Sequence, residues 1–104
     1  MNIQLSGHHV DITDGIREAV DQRFAKIENH YPDIGDLSMA LTVERHVQAV
    51  EATTQYKGAT VAVHAEEQDL YAAIAEAARK MDAALAKRKG AEASLRHARS
   101  VARA

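Results

Sequence analysis

Leu37-Ser38-Met39-Ala40-Leu41-Thr42-Val43-Glu44-Arg45 sets the fold class. Leu37, Met39, Leu41 and Val43 alternate with Ser38, Ala40, Thr42 and Glu44. A period of two residues sends one set to each face of a strand, so this strand is apolar on one side only. The same pattern recurs downstream. Val50, Ala52, Thr54 and Tyr56 form the inner face of a second such strand. Val61, Val63 and Ala65 form that of a third, with Ala62 and His64 pointing outward. Lys57-Gly58-Ala59-Thr60 between them predicts a hairpin turn, with Gly58 free to take positive φ.

Upstream, Asn2 to Ser6 alternates around Ile3 and Leu5 and predicts a short half-buried strand, with Gly7-His8-His9 leading out of it. Thr13 is placed to cap a helix, its hydroxyl accepting from a free backbone N–H. From there Ile16, Val20, Phe24, Ile27 and Tyr31 recur at helical spacing. Pro32 and Asp33-Ile34-Gly35-Asp36 end that helix. After the last strand, Asp69 caps a second helix with a stripe of Leu70, Ile74, Ala77, Ala78, Met81 and Leu85. Running to Lys89, it is ~30 Å long at 1.5 Å per residue. Gly90 is a stop signal, and residues 91–104 are expected as a frayed, basic extension.

The order is therefore β-α-β-β-β-α, an α+β fold. Strands with one apolar face need a cover, and two amphipathic helices on one face of a four-stranded mixed sheet supply it. The first helix is the right-handed crossover between two parallel strands, and the other strand pairs are antiparallel. The opposite face is left to solvent or a partner. The expected organisation is one domain over 1–89 and a basic, flexible tail over 90–104.

Composition narrows the function. The chain has 104 residues, 46% of them hydrophobic, enough for a single core. With no cysteine, neither a disulfide framework nor a thiolate metal site is possible. The first residues lack a basic region followed by an apolar run, and no apolar run is long enough to cross a membrane, so a soluble cytoplasmic protein is expected. The net charge of −2 conceals an asymmetry: residues 1–78 hold 5 Lys/Arg and 13 Asp/Glu, and residues 79–104 hold 8 and 2. Such polarity suits a protein that meets a polyanion with one edge.

The stretch Glu66-Glu67-Gln68-Asp69-Leu70-Tyr71-Ala72-Ala73-Ile74 resembles the strand-to-helix junction of the ribosome hibernation promoting factor and ribosome-associated inhibitor family. Ile3, Leu5, Ser6-Gly7, Val10, Ile12-Thr13, Arg17, Val20 and Phe24-Ala25-Lys26-Ile27-Glu28 agree with the start of that family. The likeness covers roughly residues 1–89. The double-stranded-RNA-binding-like fold it implies matches the one read from periodicity. Long members add a C-terminal dimerisation domain, for which this chain has no room, so it is similar to the short form.

The resemblance implies occupancy of the cleft between head and body of the small ribosomal subunit, over the mRNA and A/P tRNA positions. That occupancy blocks translation and preserves idle ribosomes in slow growth or stress. The implied partners are the small subunit with its rRNA and, in short-form members, a ribosome modulation factor that helps ribosomes pair. No cofactor, membrane or small-molecule substrate is implied, and no enzyme activity.

RNA binding of this kind needs cations spaced to meet phosphates, because counterion release supplies much of the affinity. Arg17, Arg23 and Lys26 match basic positions of the family on the first helix. Their steps of six and three residues turn them by about 240° and then 300°, which reads as a common half of the helix off the apolar stripe. Lys80, Lys87, Arg88 and Lys89 match the family's basic end of the second helix, with Arg79 adjacent. Another position there that is often basic is Ala83. The two sets are expected to form one basic band along the helical layer.

The remaining candidates read as structure. Tyr71 is expected to pack at the start of the second helix, and Tyr56 and Phe24 to lie in the core. His8 and His9, adjacent on a strand end, are expected to point to opposite sides. His30, His46, His64 and His97 have no i, i+4 partner, so no metal site is expected. His64 is taken to face water. Glu66, Glu67 and Asp69 are not a catalytic set, because Asp69 has a capping role and no nucleophile-and-base pair is evident. Two other readings remain: a double-stranded-RNA-binding module acting off the ribosome, and a small ligand-binding α+β domain using the open sheet face.

Overall fold

The computed structural model describes the backbone of residues 1–103 and the side chains of residues 1–90. The elements are β1 (Ile3–His8), α1 (Asp14–His30), β2 (Leu37–Val43), β3 (Gln48–Tyr56), β4 (Ala59–Glu67) and α2 (Leu70–Arg103). The sheet order is β1-β2-β3-β4, with β1 parallel to β2 and the other pairs antiparallel. The expected α+β architecture is the observed one.

Both helices cover one face. Val20, Phe24, Leu37, Leu41, Val50, Ala52, Ala65, Ile74, Met81 and Leu85 are fully buried between the layers. Alanines 73, 77 and 78 let α2 lie close on β3 and β4. Close packing of such a core makes each methylene count.

Local chemistry sets the ends of the elements. Thr13 Oγ1 accepts from the Ile16 N–H at 3.2 Å and starts α1. Asp69 Oδ2 accepts from the Ala72 N–H at 3.3 Å and starts α2. The β3–β4 hairpin turns on Lys57 and Gly58 alone, with φ of 53° and 75°. Positive φ at both central residues is the two-residue turn whose twist matches a hairpin. The α1–β2 connection is tied to β3: the Gly35 N–H donates to Gln55 O at 2.9 Å. The buried Thr54 hydroxyl lies 3.2 Å from Gly35 O and 3.0 Å from Asp36 O.

Four expectations need correction. β1 runs on to His8, and His9 then takes φ of 61°, in the left-handed region. That turn breaks the strand alternation, so the His8 and His9 rings stack with centroids 4.0 Å apart instead of pointing to opposite sides. Gly7 makes the turn possible, because a Cβ there would run into the Val10 carbonyl oxygen. Second, Gly90 does not stop α2, which continues to Arg103. A glycine costs a helix only about 1 kcal/mol, and the residues that follow are strong helix formers. The side chains of the expected tail, Arg96, Arg99 and Arg103 included, lie outside the described residues.

Third, Tyr71 packs only in part at the start of α2: it is 51% exposed, with its hydroxyl against Gly15 of α1. One step past Leu70 turns it about 100° off the buried stripe. Fourth, His64 does not simply face water. It sits 2.8 Å from Glu66 Oε1 and 3.4 Å from Glu51 Oε1.

Thr54→Val removes the hydroxyl that serves two carbonyls of the α1–β2 connection. It is expected to cost about 1–3 kcal/mol. Urea unfolding should show a lower midpoint with an unchanged m-value.

Candidate nucleic-acid interface

Each helix runs back against the strand before it, so α1 and α2 lie side by side and parallel. Their first turns meet: a Cβ on Gly15 would sit 3.2 Å from the Tyr71 hydroxyl. Further along, His30 Nδ1 lies 3.8 Å from Asp82 Oδ1, and the Tyr31 hydroxyl donates to Asp82 O at 3.4 Å. Between these contacts runs a groove of about 360 Å³ whose lining includes Arg23, Lys26 and His30 from α1 and Ala75, Ala78 and Arg79 from α2. It continues past His30 to a second depression lined by Tyr31, Ala86, Lys89 and Gly90. Small alanines make the floor, and cations stand on both walls.

The structure thus brings Arg23, Lys26, Arg79 and Lys89 to one seam. None of Arg23, Lys26 and Lys89 is ion-paired among the described residues. Arg79 is held by Glu76, one turn earlier on α2. Glu18, Asp21 and Glu28, the candidates for neutralising α1, do not pair with its cations among the described residues; Glu28 pairs with the terminal amine at 3.0 Å.

The other candidates lie elsewhere, so the basic residues do not form one band. Measured from Arg17, Arg23 and Lys26 stand at about 240° and 180°, and the stripe of Ile16, Val20, Phe24 and Ile27 fills the arc between Arg23 and Arg17. Arg17 therefore flanks the far side, near Asn2, Ile3, Asp21 and Glu28. Lys80 lies on the β4 side of α2, where its Nζ donates to His64 O at 2.7 Å and covers the sheet edge. Lys87 is exposed, seven residues on along the same flank.

Arg88 is a packing residue. Eighteen residues from Leu70 make five full turns, which puts it on the buried stripe. Its Nη2 donates to Lys57 O at 3.0 Å, and its Nε is buried without a partner. Arg88 ties α2 to the β3–β4 hairpin. Sequence reasoning missed His30 as a wall of the seam, because nothing in its local spacing marks it. Among the described residues no group of three or more His, Asp or Glu is placed to hold a metal ion, and no helix is long and apolar enough to cross a membrane.

The family described as sigma 54 modulation protein / S30EA ribosomal protein matches residues 3–92. A ribosome hibernation promoting factor of Azotobacter vinelandii is 39% identical over 89 residues, covering 86% of this chain and 83% of the relative. One of Pseudomonas putida is 39% identical over 95 residues, covering 91% and 93%. A solved ribosomal subunit interface protein from Coxiella burnetii superposes with a TM-score of 0.81 at 26% identity, over 86% of this chain and 99% of that one. The chain belongs to this family.

Three groups at or near the seam are shifted. Burial raises the Tyr31 hydroxyl above its ordinary range, aided by the charge of Asp82 and by Tyr56. The hydrogen bond from Arg79 lowers the Glu76 carboxyl, and Arg79 is raised in return. A carboxyl depressed on folding stabilises the fold above its unfolded pKa, and that contribution is lost as pH falls through the depressed value. An NMR pH titration should find Glu76 titrating below the usual glutamate range, and Arg79→Ala should return it there.

Proposed function

We propose that this family member binds the small ribosomal subunit as a translational silencer. It occupies the region of mRNA and the A and P site tRNAs, with the α1–α2 seam against rRNA. The observation that carries the reading is the placing of Arg23, Lys26 and Arg79 on one open groove between the helices, with Lys89 on the depression that adjoins it at His30. The names of the similar proteins, hibernation promoting factors and a subunit interface protein, support the ribosome as the target.

The chemistry suits the role. A duplex RNA displays phosphates at regular spacing and is bound through shape and backbone. The seam holds cations on two helices fixed by one core, so little ordering is left to pay on binding. Arginine meets a phosphate through two N–H groups, and lysine acts as a point charge. The role needs occupancy and no bond-making step. It places the protein in the cytoplasm, where a ribosome modulation factor is the further partner. Residues 1–89 act as the binding domain, and residues 90–104 add positive charge beyond it. Lys87 extends the contact, and Arg17 and Lys80 serve it less directly, from the flanks.

Co-sedimentation with ribosomes and isolated subunits across a salt series tests this. Saturable binding to the small subunit that weakens with salt is expected. Arg23→Ala/Lys26→Ala/Arg79→Ala should lower the slope of log affinity against log salt by roughly 2, near one counterion per cation removed. No binding at low salt overturns the ribosome reading.

A further inference from the structure

The basic seam leaves the acidity of the rest of the domain unexplained, and the sheet locates it. No lysine or arginine stands in any of the four strands, whose charged residues besides histidine are Glu51, Glu66 and Glu67. The open face can be read as rows across the strands. Gln4, Ser38, Thr53 and Ala62 form one row; Ser6, Ala40, Glu51 and His64 the next; His8, Thr42, Ala49 and Glu66 the third. Glu44 follows, just past β2.

A trough of about 270 Å³ crosses these rows, floored by Ala40, Thr42 and Ala49 and rimmed by Glu44, Glu51 and Glu66. The three carboxylates therefore stand one per row on successive rows. Successive rows of one sheet face are about 7 Å apart, the repeat of alternate side chains in an extended chain. Glu51, Glu66 and Glu44 stand on β3, on β4 and just past β2, so the set runs diagonally across the strands.

The chemistry of this face selects its occupant. Carboxylates repel phosphates, so RNA is disfavoured. The outward side chains are small and polar, and the exposed Val47 at the trough is the only large apolar group there, so a lipid or an apolar protein face gains little. His64 takes one oxygen each of Glu51 and Glu66. Their second oxygens have no partner among the described residues, and neither does the Glu44 carboxylate. A guanidinium fits such sites.

We propose that the open sheet face is a second interaction surface, which takes an extended, arginine- or lysine-rich polypeptide segment with its basic residues at alternate positions. The domain would then meet RNA with its helices and basic protein with its sheet. The helical half of that statement rests on the ribosome-binding reading; the sheet half does not.

The test therefore uses the free 104-residue chain. A nonapeptide alternating arginine and serine is titrated into the isotope-labelled protein and followed by NMR, beside a peptide of the same composition with its arginines contiguous. Amide shifts are expected to centre on Ala40, Thr42, Ala49, Glu51, His64 and Glu66. Affinity should fall by about fivefold or more for the contiguous peptide and for Glu51→Gln/Glu66→Gln, as two partly exposed ion pairs would give. Equal affinity for both peptides, an unaffected double variant, or shifts centred on the first turns of the helices near Asp14 and Asp69 overturns the proposal. Because no ribosome is present, that failure is distinct from a failure of ribosome binding.

Discussion

Ile3–His8 pairs with Leu37–Val43 in the same direction. Two adjacent parallel strands need a connection that returns the full length of the sheet, and α1 is that connection. The remaining strands are antiparallel, so β4 ends pointing as β1 does, and α2 must return in the same sense as α1. The two helices are thereby forced to be parallel neighbours on one face. Their common seam, and the cations along it, follow from a strand pairing that involves no cation at all.

The same constraint separates the molecule's charges. One sheet face is spent on the core, and the helices that cover it present their outer sides to whatever lies beyond. Basic residues are confined to helices and turns, and the strands carry only carboxylates and histidines. A net charge of −2 says little about such a molecule. What matters is where the charges stand: Arg23, Lys26 and Arg79 along the seam, and Glu44, Glu51 and Glu66 on the open sheet.

The fold was readable because alternation in the strands and the 3.6-residue stripes are local, and the caps at Thr13 and Asp69 act over three residues. The hairpin at Lys57-Gly58 was readable for the same reason. The site was readable only by type. Arg17, Arg23 and Lys26 are all basic, yet the apolar stripe passes between Arg17 and the other two, so the core itself parts them. Arg88 looks like its neighbours Lys87 and Lys89, but five helical turns from Leu70 return it to the buried side. Lys80 is drawn to a backbone carbonyl on the sheet edge, and His64 to two carboxylates that pairing of β3 and β4 places beside it. The Lys80 and His64 contacts are tertiary facts that spacing along the chain does not give, whereas the places of Arg17 and Arg88 follow from helical spacing once it is counted against the apolar stripe. The stop expected at Gly90 failed because a single weak breaker does not outweigh the helix formers on either side.

The central claim is that the helical layer, and not the sheet, faces ribosomal RNA. The absence of cysteine allows a clean test: an iron chelate tethered to a single introduced thiol, Ala86→Cys in the seam or Ala62→Cys on the open sheet, with hydroxyl-radical cleavage of rRNA mapped in the small-subunit complex. The account predicts strong, localised cleavage from position 86 and little from position 62. Strong cleavage from position 62, with none from position 86, would contradict it.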